Sequence, residues 1–374
     1  MEFTVNRKVF QEAVQKTLGI VDRKATISVL NNILIKTQNN SIRVVANDRE
    51  IGMLADYDAQ VTKQGEITVA ARKLYEMLKE MEDDTICFIS NENNWVSIVG
   101  AKVQYRIPGL GSDDFPEVRE DDDVRYFDLP CKIAREMIEK TFFAASNDDM
   151  RPGLNGVYLK KEGSKIEMVA TDGHRLAMST KEIGNSERSE VNVEGIIIPK
   201  KGINEIRRLV DDELNSIQFG ITKGVCIAKK AAIMLRVSLI DSVYPEYGKV
   251  IPKAGGTKIM VDRSKMLHSL RRMSVMSSEM FSGVKIHLSE GKMTLNSINP
   301  EIGEANDEID VFYEGEPMNI GYNVRYLIDA IEVLDEELIS FELRSNEGPG
   351  VIRSAENDTY LCVVMPIKLG KEQM

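Results

Sequence analysis

The stretch Gly65–Ile89, GEITVAARKLYEMLKEMEDDTICFI, reads as a short strand, a turn, a helix and a second strand. Apolar residues alternate through Glu66–Ala70, then recur at Leu74, Met77, Leu78 and Met81, a spacing that places them on one helix face. An acidic break, Glu82–Asp84, ends the helix before alternation resumes. The same order returns at Val193–Phe219, VEGIIIPKKGINEIRRLVDDELNSIQF, with Ile203, Ile206, Leu209 and Val210 in the helical places. It returns again at Glu316–Phe341, EPMNIGYNVRYLIDAIEVLDEELISF, with Tyr326, Leu327, Ala330, Ile331 and Leu334. Asp211–Glu213 and Asp335–Glu337 repeat the acidic break. The chain carries one unit three times.

A second triplet stands ahead of the first. Phe3–Val14 (FTVNRKVFQEAV), Phe127–Ile138 (FDLPCKIAREMI) and Ile259–Leu270 (IMVDRSKMLHSL) each run from strand to helix. Asn6 and Asp262 are N-cap types, and Pro130 suits a helix start. Val5 to Leu129 is 124 residues and Leu129 to Val261 is 132, so a period near one third of 374 accounts for the whole chain. Solenoid repeats are about 20 to 50 residues long, so this is a tandem of domains. Strand-like stretches such as Ile33–Lys36, Ser41–Ala46, Val96–Ile107, Gly156–Leu159 and Ile166–Ala170 fill the space between. Asn39–Asn40 and Glu162–Gly163 look like hairpin turns. The expected class is α+β: three tandem domains, 1–120, 125–249 and 250–374, each with two helices packed on antiparallel sheet. The acidic loop Asp113–Asp123 and the Pro/Gly-rich Lys249–Lys258 read as linkers.

Composition narrows the function. At 43% hydrophobic and 29% charged the chain suits a folded domain, and no apolar run approaches the roughly 20 residues that cross a bilayer. The polar, alternating start Met1–Asn6 lacks the pattern of a secretory signal, and Cys87, Cys131, Cys226 and Cys362 lack zinc spacing, so reduced thiols in a cytoplasmic protein are expected. A net charge of −11 speaks against a nucleic-acid partner when taken whole. Its distribution speaks otherwise. Basic residues gather on five of the six expected helices (Arg7, Lys8, Lys16; Arg72, Lys73, Lys79; Lys132, Arg135, Lys140; Lys200, Lys201, Arg207, Arg208; Arg263, Lys265, Arg271, Arg272), and acidic ones in loops. The sixth departs, with Asp329, Glu332 and Asp335–Glu337 after Arg325.

Ala170–Met178, ATDGHRLAM, places His174 between Gly173 and Arg175, just after Asp172. As an enzyme site it would pair Asp172 with His174, but two residues complete no metal shell. Neither a phosphate-binding glycine loop nor a nucleophile elbow is present, so an enzyme, a metal and a cofactor are all disfavoured. A plain strand-to-turn corner and the wall of a binding groove remain. Tyr360–Leu369, YLCVVMPIKL, is an apolar run stopped by Pro366 that reads as a buried edge strand or a groove wall.

With RPGLNGVYL at Arg151–Leu159, SVYPEYGKVIP at Ser242–Pro252 and GYNVRYLIDA at Gly321–Ala330, these stretches resemble the bacterial DNA polymerase sliding clamps, the beta subunits of the replicative polymerase. The resemblance spans all three repeats. It implies a head-to-tail homodimeric ring, with helices lining the hole, that encircles duplex DNA without sequence readout as a non-catalytic processivity factor. It implies a groove for short peptides of the polymerase catalytic subunit, the clamp loader and repair proteins. That groove falls on Thr171, Gly173, His174, Arg175, Leu176, Pro245, Lys249, Val250, Phe281, Asn323, Tyr326, Val363, Val364, Met365, Pro366, Ile367, Lys368 and Leu369. DNA contacts fall on Arg23, Arg72, Lys73, Asp148, Arg151, Pro152 and Gly153, with Lys200 and Lys201 added. The subunit contact sets Tyr105 and Ile107 against Val275 and Met276. In an apolar cleft of Leu176, Val250, Val363 and Met365, His174 and Arg175 would stand at the rim. This chain differs from some members at Pro152 and Gly153, where they carry two aromatic residues, and has Lys249 and Lys368 where arginines are often seen. Two other readings are a peptide-binding scaffold with no DNA role and a hydrolase built on Asp172 and His174.

Overall fold

The computed structural model describes residues 1–21, 28–121, 123–148, 150–184, 191–211, 215–253, 255–278, 282–355 and 358–368. Six α-helices stand among these residues: α1 (Arg7–Thr17), α2 (Ala71–Glu80), α3 (Cys131–Phe142), α4 (Lys200–Leu209), α5 (Arg263–Ser274) and α6 (Val324–Glu332). Each begins where a strand ends, as the repeated pattern predicts.

The repeat is exact at the level of hydrogen bonds and register. The first residue of α1, α3 and α5 donates its N–H to the chain just ahead of the matching strand: Arg7 to Asp84, Cys131 to Asn215 and Arg263 to Glu337, at 2.9, 2.8 and 2.9 Å. The strands before these helices pair in the same place each time, Phe3 opposite Phe88, Phe127 opposite Phe219 and Ile259 opposite Phe341. The two Phe pairs stack, with centroids 4.9 and 5.7 Å apart. Asn6 and Asp262 cap α1 and α5 by accepting from Val9 N (3.2 Å) and Lys265 N (2.8 Å). Pro130 ends strand Tyr126–Pro130, one residue before α3 begins. That strand is terminal in its sheet, where a missing N–H removes no ladder bond.

The described chain forms two compact units. The first comprises Met1–Lys132 and Asn204–Leu239 and holds a 13-stranded antiparallel sheet. Within it, Ile51–Asp58 pairs with Ile233–Ser238, so strands of the first and central repeats share one sheet. α1 buries Phe10, Ala13 and Val14 and lies against α2, which buries Leu74 and Leu78. Each such buried Leu or Phe side chain contributes about 1.5–3 kcal/mol. The second unit comprises Ile133–Ile203 and Ile240–Met374 and holds sheets of eight and four strands. There Arg175–Glu182 pairs with Tyr360–Val364, joining the central repeat to the third. The units thus divide the chain within the central repeat, because the sheets run on from one repeat to the next.

Two expectations change. Asp113–Asp123 is not a loose linker. Phe115 is buried with Leu30, Val45, Leu54 and Met234, Arg43 Nη1 donates to Glu120 (2.6 Å), and Arg236 faces Asp121 (3.5 Å). Nor are all helix cations solvent-facing. Arg7 donates to the carbonyls of Leu78 and Asp83 (both 3.0 Å), and Arg263 to those of Ile331 (3.2 Å) and Glu332 (2.9 Å). Both arginines tie one helix to the carbonyl end of the next, where acceptors lack partners within the helix. Lys140 is buried, bonds Glu136 at 2.7 Å and lies over the Tyr360 ring. The basic surface is narrower than the residue count implies.

Candidate functional site

Strands Lys165–Thr171 and Arg175–Glu182 pair with Thr171 opposite Leu176, leaving Asp172, Gly173 and His174 as the turn. Asp172 organises it: one carboxylate oxygen accepts the N–H groups of His174 (2.9 Å) and Arg175 (3.0 Å), the other accepts Arg175 Nε (3.1 Å). Gly173 has φ +90, and a Cβ there would lie 2.9 Å from Arg151 Nη1, so glycine alone suits the turn. The Asp172 carboxylate meets the backbone of His174 while the imidazole faces Tyr326, with ring centroids 6.5 Å apart. No acid–base pair of the kind a hydrolase needs is built from Asp172 and His174.

Arg175 is no rim residue. Its side chain is 10% exposed, with Nη1 2.5 Å from Asp329 and Nη2 donating to the Phe143 carbonyl at 2.7 Å. Its guanidinium lies 4.4 Å from the Tyr326 ring centre and 5.2 Å from that of Phe143. One planar cation thereby joins the 172–174 turn, the segment after α3 and one face of α6. Five donors in a rigid fork permit this, and a lysine has no such geometry. Burial first, then the Asp172 charge, push the Tyr326 hydroxyl above its usual range.

The carboxy-terminal run walls this region. Tyr360–Val364 pairs with the strand that begins at Arg175, with Leu176 opposite Val363 and Arg175 opposite Val364. Regular pairing then stops. Met365 N donates to the His174 carbonyl, Pro366 has no N–H, and Ile367 N donates to the Gly321 carbonyl, both bonds 2.9 Å. The strap Met365–Lys368 therefore passes from the eight-stranded to the four-stranded sheet. Leu176 and Val363 lie beneath, packed with Val169, Ile197, Tyr244, Val351 and Leu361. Val364 is also buried, and Thr171 holds the Arg175 carbonyl at 2.6 Å. Val250 (46% exposed), Met365 (40%) and Ile367 (37%) are accessible apolar side chains on the two bordering segments. Pro245 and Lys249 are exposed, and Lys249 pairs with Glu246. Asn323 caps α6 through Arg325 N (3.0 Å) and donates to Ser282 Oγ (3.0 Å), which sets the helix carrying Tyr326 and Asp329.

Of the DNA residues expected in this unit, Asp148, Arg151, Pro152 and Gly153 stand on the loop after α3, and Lys200 and Lys201 begin α4. Asp148 accepts Met150 N (3.0 Å) and Arg151 Nε (2.9 Å), bonds that hold its carboxyl below the usual range. Pro152 and Gly153 open a short 3-10 turn, and Gly153 packs close to Ser242. Lys200 donates to Asn147 Oδ1 (2.5 Å) and the Ala145 carbonyl (3.2 Å) and lies 5.3 Å from the Phe142 ring centre, while burial lowers its pKa. It holds the loop in place rather than offering a free cation. Lys201 beside it is half-buried. In the first unit, Arg72 and Lys73 are exposed in the first turn of α2, with Lys73 2.7 Å from Glu76. Tyr105 is half-buried and Ile107 buried on strand Gln104–Leu110. In the second unit, Val275 is 68% exposed just after α5, next to Met276, whose carbonyl accepts from Asn299 (2.9 Å). Arg23, Phe281, Leu369 and the segment 370–374 lie outside the described residues.

Asp329 and Phe143 are the site residues that the sequence reading missed. Asp329 follows Tyr326 by three positions, a spacing that places both on one helix face and could have flagged it. Among the described residues no group of three or more His, Cys, Asp or Glu could hold a metal ion. No helix among them is long and apolar enough to cross a membrane.

Comparison with known proteins agrees with this architecture. Three family profiles match in succession: DNA polymerase III beta subunit, N-terminal domain, over 1–119; central domain, over 128–246; and C-terminal domain, over 248–368. The Beta sliding clamp of Pseudomonas aeruginosa is 30% identical over 372 residues, covering 99% of this chain and 100% of the relative. A crystal structure of the sliding clamp from that organism bound to griselimycin superposes with a TM-score of 0.92 at 30% identity, covering 99% of this chain and 100% of that one. The Bacillus subtilis clamp superposes at 0.93 with 25% identity over the same shares. By sequence over its whole length and by fold, the chain belongs to the DNA polymerase III beta subunit family, the beta sliding clamps.

Proposed function

We propose that this chain is a DNA sliding clamp: a non-catalytic processivity factor that encircles duplex DNA and tethers the replicative polymerase. The strand–helix unit repeated three times with one register carries this reading. Three such domains per chain, proposed at 1–120, 125–249 and 250–374, give six around a ring closed by two subunits. A closed ring needs no tight grip, because leaving the DNA requires opening rather than breaking phosphate contacts. Sequence-independent attraction then permits sliding. DNA contacts are assigned to Arg23, Arg72, Lys73, Asp148, Arg151, Pro152, Gly153 and Lys201, with Lys200 positioning the loop. Tyr105 and Ile107 of one subunit meet Val275 and Met276 of the other. Peptides of the polymerase catalytic subunit, the clamp loader and repair proteins enter the cleft of Leu176, Val250, Val363 and Met365, bounded by His174 and Tyr326. The protein works in the cytoplasm, on chromosomal DNA.

A peptide scaffold without a DNA role is separated from a clamp by charge reversal. In Arg72→Glu/Lys73→Glu, losing two phosphate contacts should lower the slope of log affinity against log salt by about 2 on duplex DNA. Peptide affinity should not change. A slope equal to the wild-type value would instead support the scaffold.

A further inference from the structure

Strands Gln104–Leu110 and Tyr126–Pro130 belong to one sheet, yet seven other strands stand between them. At about 4.8 Å per strand, that separation is roughly 38 Å. The 16 residue steps from Leu110 to Tyr126 reach about 55 Å when fully extended, so the acidic segment runs nearly straight across. On its way it crosses the seam where Ile51–Asp58 of the first repeat pairs with Ile233–Ser238 of the central repeat. Register sorts the residues around this seam into rows on one face: Asn47, Gly52 and Arg236; Val45, Leu54 and Met234; Arg43 and Asp56. Segment Ser112–Asp121 touches every row. Asn47 Nδ2 donates to the carbonyls of Pro116 (3.1 Å) and Glu117 (3.4 Å). Phe115 is buried in one cluster with Val45, Leu54 and Met234. A Cβ on Gly52 would lie 2.8 Å from Val118 Cγ1, so glycine lets the segment lie flat against the seam. Glu120 accepts from Arg43, which also holds Asp56, and Asp121 faces Arg236 at 3.5 Å. The two arginines stand on opposite sides of the seam, so neighbouring carboxylates of one segment tie both repeats together.

We propose that Ser112–Asp121 is a brace that stiffens the seam between the first and central repeats and thereby slows spontaneous opening of the ring. The proposal rests on the clamp reading. Parting one subunit contact requires the rest of the ring to bend, and the seam is a place where it can. A strand ladder alone resists twisting and bending weakly, because neighbouring strands vary widely in their mutual angle. A segment laid across both strands, with an apolar anchor at Phe115 and charged anchors at Glu120 and Asp121, restricts that angle. Loosening the anchors lowers the work of bending and so the barrier to opening.

Two variants of the full-length protein test it. Glu120→Lys/Asp121→Lys sets like charges against Arg43 and Arg236, and Phe115→Ala removes the apolar anchor. Amide hydrogen exchange reports the seam, and residence on a nicked circular plasmid, after the clamp loader is removed, reports the ring. Charge reversal should speed exchange in Ile51–Ala55 and Ile233–Val237 about tenfold and shorten residence about fivefold, effects sized for two partly exposed ion pairs. Phe115→Ala should do both more strongly. Exchange in Ile86–Ile89, which pairs with Glu2–Val5 in the same unit, should stay within about twofold of wild type and certifies folding. Seam exchange unchanged in both variants, or faster exchange with wild-type residence, would overturn the brace. So would a shorter residence matched by a weaker dimer in sedimentation, since the effect would then lie at the subunit contact. If wild type left circular and linear DNA equally fast, the clamp reading itself would fall, a distinct result.

Discussion

Arg175→Ala should abolish partner-peptide binding and destabilise the second unit by about 3–5 kcal/mol, the range for removing one partner of a buried ion pair. The guanidinium meets Asp172, Asp329 and the Phe143 carbonyl at once. Its removal leaves Asp172, 15% exposed, still bonded to two backbone N–H groups but without its cation. The 172–174 turn then loses its link to α6, and the His174 carbonyl that holds Met365 N shifts with it. Denaturant unfolding and peptide anisotropy measure the two effects. Arg175→Lys should restore little binding, since an ammonium group cannot reach two carboxylates and a carbonyl in one plane. Asp329→Asn, which removes one partner only, should weaken binding and keep the fold. Full peptide affinity in Arg175→Ala would show that the groove does not depend on this residue.

Val275→Asp should turn the dimer into a monomer with little change in the stability of the subunit. Val275 is 68% exposed in the single chain, and surface substitutions usually stay within about 0.5 kcal/mol. At a subunit contact the same aspartate must be desolvated without a partner, which costs about 3 kcal/mol or more and raises the dimer Kd over 100-fold. Sedimentation at micromolar concentration separates these cases. A variant that remained as dimeric as wild type would remove Val275 from the interface.

The repeat was legible because local patterning determines it: cap residues, helical spacing and acidic breaks recur at fixed places. The joins between repeats were not, because the pairing of Ile51–Asp58 with Ile233–Ser238 is a contact between distant edge strands. Charge was legible in sign but not in use. Arg7 and Arg263 look like surface cations in sequence yet satisfy helix carbonyls, and Lys200 holds a loop. Arg175 stands in the most unusual stretch of the chain, but only the approach of α6 shows that Asp329 buries it. Hydrogen-bond partners far apart in sequence leave no local periodicity to read.

Retention on DNA after loading tests the clamp reading most directly. Protein loaded onto a nicked circular plasmid by its clamp loader should remain bound through gel filtration, then leave quickly when one restriction cut frees the ends. High salt should shorten its stay on the circle far less than the cut does, since topology rather than phosphate contact retains it. Equal residence on circular and linearised DNA would contradict the ring.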